Sequence, residues 1–137
     1  MRTGMMTKNT DLKTLIRSMR PAAHPEPYVF VSLPPDAEVP PALRPAMTFR
    51  EKEGVTLILA SEDADAAGLT GTFACRMIAL NVQSSLEAVG FLAAILPPLA
   101  EAGIPVNAVS AFHQDHLFVP VDMAEPAVAI LEQLARR

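Results

Sequence analysis

The polar chemistry of this 137-residue chain is best placed in one short stretch, Ser84-Ser85-Leu86-Glu87-Ala88-Val89-Gly90. Two adjacent serines stand at the entrance of an apolar run that reads as a helix. The first turn of a helix leaves backbone N–H groups without partners, and its dipole favours negative charge. Such an entrance therefore binds small anions. The serine hydroxyls can add donors, or they can cap the helix themselves. Glu87 lies three residues after Ser84, which fits a capping box. A plain N-cap without a ligand is the competing reading. From Met77 to Ala135 there is no Lys or Arg, so backbone donors must meet any anion bound in this half.

A second group is His113, Asp115 and His116. If Gln114-Asp115 forms the turn of a hairpin, the two histidines flank it as cross-strand neighbours. Two imidazoles and a carboxylate could then hold a divalent metal. No further ligand lies nearby in sequence, and a polar turn with a surface or half-buried histidine pair explains the same letters. His113 and His116 are thus weak metal candidates, and no metal or cofactor is expected. Nucleophilic catalysis has little to work with. Ser84, Ser85 or Ser110 could pair with a histidine, but the chain has no GxSxG elbow, no P-loop and no GxGxxG. Its acids flank helices instead of pairing. The reading is a protein that is not an enzyme.

Composition narrows the partners. Half the residues are hydrophobic, enough for one compact core or two very small packed halves. Aromatic content is 5% with no Trp, so the core must be aliphatic. A net charge of −4 argues against nucleic acid and against an anionic membrane surface. The basic cluster Arg2, Lys8, Lys13, Arg17 and Arg20 reads as the solvated face of a first helix. Cys75 is the single cysteine, and a buried inert thiol in a reducing cytoplasm is the expectation. The N-terminus has no apolar core like that of a signal peptide. The run Ala88 to Ala100 is too short to span a bilayer and contains Pro97 and Pro98.

The elements that must position these residues follow from periodicity. Thr10 or Asp11 caps a short helix with Leu12, Leu15, Ile16 and Met19 on one side. Tyr28–Leu33 reads as a buried strand. Five prolines between Pro34 and Pro45 leave room for at most a short helix around Ala42. Two strands joined at Glu53-Gly54 follow, then a short acidic helix from Ser61 closed by Gly68. Phe73–Val82 reads as a strand. The next helix begins at Ser84 or Ser85, with Leu86, Val89, Ala93, Leu96 and Ala100 as its buried stripe and Gly90 allowing close approach to the sheet. Pro97 costs about 3 kcal/mol in a helix interior, which predicts a kink or break between Ile95 and Pro98. Strands Val106–Phe112 and Leu117–Val121 and a last helix capped by Asp122 complete the chain. Both halves have the order of a βαββα unit, so the fold class is α+β with two ferredoxin-like halves, antiparallel sheets and helices on one face. The division is 1–70 and 71–137, and each half reads as short of a final edge strand.

Four words in order, YVFVSL at 28–33, TFREKEGVTLIL at 48–59, SSLEAVG at 84–90 and AGIPVNAVSAFHQDHLFVP at 102–120, resemble the small stand-alone tandem ACT-domain proteins of bacteria. The resemblance runs from Leu12 to Leu134. It implies two ACT-like halves, the first more degenerate because its crossover is short and rich in proline. It implies a small-molecule ligand, an amino acid, near the loop from Gln83 to Gly90, and a site set of Ser84, Ser85, Leu86, Glu87, Ala88, Val89 and Gly90. Asn107 matches a polar position early in the second strand that faces the ligand across an interface. The implied protein is a non-catalytic cytoplasmic regulator working as a homodimer. Two alternatives are kept: an interaction module that uses the same scaffold without a ligand, and metal binding through the His113/His116 hairpin.

Overall fold

The computed structural model describes residues 11–137. Arg2, Lys8 and Thr10, named above, lie outside the described residues. In chain order the elements are α1 (Leu12–Ser18), β1 (Ala22–Ala23), β2 (Tyr28–Leu33), β3 (Met47–Arg50), β4 (Val55–Ala60), α2 (Ser61–Ala66), β5 (Thr72–Ala79), α3 (Phe91–Glu101), β6 (Asn107–Ser110), β7 (Asp115–Pro120) and α4 (Ala124–Ala135), with a short 3-10 turn at Val121–Met123. They form two compact units. One is Pro25–Arg76. The other joins the chain up to His24 with Met77–Arg137. The fold class is the α+β, ferredoxin-like one expected from the pattern, with antiparallel pairing.

In the first unit the strand order is β3-β4-β2-β5. β2 pairs with β4 over its full length, from Tyr28↔Ala60 to Leu33↔Val55. The opening residues of β5 pair with β2, Tyr28↔Cys75 and Phe30↔Thr72, with a register shift between them. Gly71 just before β5 sits so close to Val29 that a Cβ there would lie 2.5 Å from it. Val31, Val55, Leu57, Leu59 and Ala64 form the core. The crossover from β2 to β3 contains no helix. Two turns, Ala37 N to Pro34 O and Leu43 N to Pro40 O, carry the chain, and Val39 and Leu43 cover the core where a helix would lie.

The second unit has the order β1-β5-β7-β6. Its core joins Leu15 of α1 and Met19 just after that helix to Ile78, Leu80, Phe91, Ile95, Leu99, Leu117, Val119 and Leu131. Each fully buried aliphatic side chain contributes about 1.5–3 kcal/mol. The missing edge strand expected from the pattern is not missing. β1 supplies it here, pairing Ala22↔Ala79 and Ala23↔Ile78, and β5 supplies it in the first unit. The sequence conceals this because β1 is only two residues long and precedes the unit it completes.

Helix α3 corrects four expectations. It begins at Phe91, not at Ser84 or Ser85. Gly90 takes φ 91° at its N-cap position, a left-handed value that stops the helix from extending backwards. A Cβ on Gly90 would touch only Leu12 at 3.9 Å, so its role is conformation and not close approach. The buried stripe is Phe91, Ile95 and Leu99, while Leu86 and Val89 are 57% and 86% exposed. The phase shifted because the helix starts later. Finally, α3 runs through Pro97 and Pro98 without a break. Pro97 and Ala93 are both exposed, so the Ala93 carbonyl that loses its donor faces water. A Schellman closure ends the helix as expected: Ile104 N bonds Leu99 O at 3.0 Å and Gly103 N bonds Ala100 O at 2.9 Å, with Gly103 at φ 76°.

Candidate functional site

Between β5 and α3 the chain makes a loop that is locally fixed. Ser85 O accepts from Ala88 N at 3.0 Å, closing a turn over Leu86-Glu87. Ser85 Oγ accepts from Glu87 N at 3.0 Å. The serine therefore orders its own turn and does not cap α3, and the Ser84/Glu87 capping box does not form. Gly90 has no side chain to cap the helix either. The N–H groups at the start of α3 are left without intrahelical partners, up to Ala94, which donates to Gly90 O at 3.0 Å.

This loop and the start of α3 wall a cavity of about 180 Å³, lined by Ser84, Ser85, Leu86, Ala88, Gly90 and Phe91 and continuing along Leu92 and Ala93. The opposite wall is Ser110, Ala111 and Asp115 from the β6–β7 hairpin. The volume equals about six waters at bulk density, the scale of a small metabolite. Ser84 and Asp115 are the two buried polar or charged residues among those described, and both line this one cavity.

Of the residues expected from the sequence, Ser84, Ser85, Leu86, Ala88 and Gly90 are brought together on one wall. Glu87 and Val89 belong to the same loop but do not line the cavity. Asn107 is the first residue of β6 and is exposed. It lies three residues along the strand from Ser110, about 10 Å at strand rise, and does not line the cavity. Asp115 and Ser110 were not assigned to the anion site from sequence. Asp115 lay in the supposed metal turn, and its signal was there to read. The β6–β7 hairpin repeats β3–β4, and Asp115 occupies the place of Val55. Both β4 and β7 bury their first, third, fourth and fifth residues. An acid stands where the repeat has plain core.

The hairpin differs from the one expected. Ala111 N donates to Gln114 O at 3.1 Å, so Phe112 and His113 form the turn. The register is Ser110↔Asp115 and Val109↔His116. His113 and His116 are therefore not cross-strand neighbours. His113 meets Phe112 edge-on, ring centres 5.1 Å apart, and His116 sits within the strand, where burial lowers its pKa and Asp115 opposes that shift. No cluster of three or more potential metal ligands occurs among the described residues. The hairpin is fixed from the other side by Gln114, whose Oε1 accepts from Asn81 N at 2.9 Å. Asn81 adopts φ 56° and donates from Nδ2 to Arg20 O at 2.8 Å. Elsewhere, Cys75 is fully buried, and burial raises its thiol pKa to about 11. Its Sγ donates to Tyr28 O at 3.4 Å.

As an arrangement, the cavity presents donors and a positive dipole end on one wall and a carboxylate on the other. The Asp115 side chain has no hydrogen-bond or ion-pair partner among the described residues. Such a pair of walls complements a molecule that carries both charges.

Comparison with known families gives two matches in tandem. One ACT-domain model matches residues 8–76 and a second matches residues 72–133. Among solved structures, a protein of unknown function from Vibrio cholerae, described as a possible transport protein, is 38% identical with a TM-score of 0.81. The alignment covers 92% of this chain and 97% of that one. A protein from Agrobacterium tumefaciens superposes with a TM-score of 0.72 at 16% identity, covering 85% of this chain and 89% of that one. The regulatory subunit of aspartate kinase from Thermus flavus superposes at 0.61 and 11% identity, over 83% and 95% of the two chains. These last two show the shared fold. Among curated proteins nothing matches the chain. No helix among the described residues is long and apolar enough to cross a membrane.

Proposed function

The chain belongs to the ACT-domain family, and from that premise we propose that it is a non-catalytic regulatory module that binds a small amino acid in its second unit. ACT domains are typically small-molecule regulatory modules, which makes a ligand the first question to ask of the cavity. The observation that carries the reading is the placement of Ser84 and Asp115, the two buried polar residues among those described, in one cavity at the uncapped start of α3.

The ligand carboxylate takes the N–H groups of Phe91 to Ala93, where the helix dipole is favourable. Its ammonium meets Asp115, and the hydroxyls of Ser84, Ser85 and Ser110 complete the polar lining. Leu86, Ala88 and Gly90 shape the wall, with Glu87 and Val89 holding the loop. A cavity of about 180 Å³ admits amino acids with small side chains. The protein acts in the cytoplasm as a homodimer. β6 is an edge strand, paired only with β7 among the described residues. A second copy adding there would meet Asn107, which this reading assigns to the interface. Ligand bound beside that edge would bias how two copies pair, and this bias is the signal.

A second reading, a docking module without a ligand, has its support in exposed Leu86, Val89 and Phe112. A thermal-shift screen against the twenty amino acids separates the two, because binding to the native state raises the melting temperature. The expected hits are small amino acids at millimolar concentration, confirmed by titration calorimetry. A screen with no hit removes the sensor reading in favour of docking.

A further inference from the structure

A second cavity, about 280 Å³, opens elsewhere on the same unit, between the ends of α1 and α4. It is lined by Arg17, Met19, Arg20, Pro21, Glu132, Ala135 and Arg136. We propose that it is a binding site for a phosphate group, separate from the amino-acid cavity and independent of it.

The argument begins with charge. The chain has 11 basic residues and a net charge of −4, yet three of its arginines line one cavity. Sequence placed Arg17 and Arg20 on the solvated face of a helix. It left Arg136 at the other end of the chain, and folding brings the three together. One acid, Glu132, shares the lining. None of the four makes an ion pair among the described residues. Three guanidinium groups thus share a lining with one carboxylate, and a bound anion would balance the excess positive charge.

Helix ends offer a plainer account, since cations at C-termini answer the dipole. Arg20 does serve that role. Its Nη1 donates to Arg17 O at 2.9 Å and to Met19 O at 2.8 Å. Those two bonds use one nitrogen and hold the side chain in place. The edge formed by Nε and Nη2 remains, and it is the edge that grips an oxyanion with two parallel bonds. Arg17 and Arg136 have no such carbonyl contacts. One anchored fork with two further guanidiniums suits a multiply charged tetrahedral oxyanion better than a carboxylate, because phosphate offers three acceptor oxygens and up to two charges.

The source of the phosphate is either the free ion or a phosphomonoester, and the test distinguishes them. The full chain is titrated calorimetrically with inorganic phosphate, with glycerol phosphate and with AMP, using sodium acetate as a control. Phosphate is expected to bind and acetate not. Equal affinity for all three phosphates marks a site for the free ion, and tighter binding of either ester marks a phosphorylated metabolite. Two variants test the location. The double variant R17Q/R136Q is expected to weaken binding on the order of tenfold, the loss of two modest charge contacts. E132Q is expected to tighten it by about threefold, since it removes a repelling charge. A gain cannot arise from damaged folding. No binding of any phosphate at about 10 mM, weaker than any useful affinity scale here, overturns the proposal. So does an affinity that E132Q leaves unchanged.

Discussion

Replacing Asp115 by Val asks whether the buried carboxylate serves the fold or a ligand. The structure supplies its own control, because Val55 already occupies this place in the first unit at 0% exposure. Asp115 is 9% exposed, and its side chain has no hydrogen-bond partner among the described residues. A Val of similar size therefore breaks no side-chain bond and adds apolar burial of about 1.5 kcal/mol at most. D115V should therefore melt no lower than the parent, and a gain of about 1 kcal/mol is expected. Binding should move the other way. A charge-assisted hydrogen bond to an ammonium is worth about 1.5–3 kcal/mol, or roughly 10- to 150-fold in affinity. The assay pairs denaturant melts with calorimetric titration of the amino acid found by the screen and of the matching acid without its amine. The parent should prefer the amine, and D115V should treat both alike. If D115V loses more than about 1 kcal/mol while keeping its preference for the amine, Asp115 is a structural residue and the assignment of the ammonium site is wrong.

Other expectations follow from single sites. Pro97 lies inside an unbroken helix on an exposed position, so Pro97→Ala should stabilise by about 2–2.5 kcal/mol, the interior proline penalty less the entropy it removes from the unfolded chain. Urea melts decide this, and a loss of stability would mean that the pair makes a dedicated turn in solution. Cys75, buried with its pKa raised to about 11, should resist iodoacetamide at pH 8 in the native protein and react fully in guanidinium. Labelling of the folded protein at the rate of a free thiol would contradict the burial. His116 has a lowered pKa in the folded state. The unfolded chain therefore binds the extra proton first as pH falls below about 6.5, and stability should decline from pH 7 toward pH 5. His116→Gln should flatten that part of the pH–stability curve, and an unchanged slope would assign it to other groups.

The sequence made the fold class legible because the signals were local. β-branched runs, the glycine closures at Gly68 and Gly103 and the repeated element order each act over a few residues. What it hid was long-range. The two-residue β1 carries no pattern, yet it closes the second unit by pairing with Ala79 and Ile78. The start of α3 was misplaced because serine-serine before an apolar run is a strong capping signal. The deciding residue was Gly90, whose positive φ cannot be read from its letter alone. The proline pair misled in the other direction. Its cost is real, but the orphaned Ala93 carbonyl lies toward water, and tertiary packing of Phe91, Ile95 and Leu99 holds the helix through it.

The candidate site was half legible for the same reason. Its loop wall is contiguous in sequence and carries polar letters. Its facing wall arrives through a hairpin whose register could not be fixed from HQDH. Placing the turn at Gln114-Asp115 put the acid at the tip among histidines. Placing it at Phe112-His113, as the Ala111–Gln114 hydrogen bond does, moves Asp115 into the first position of β7. A two-residue change of register thus converts a metal hypothesis into an ammonium one. The repeat could have supplied that register. VTLILA and DHLFVP align residue for residue in their burial, with Val55 opposite Arg50 and Asp115 opposite Ser110. Since the fold is satisfied by valine in one copy, folding alone does not account for aspartate in the other. The proposed reading accounts for it by a ligand ammonium in the cavity that Asp115 lines.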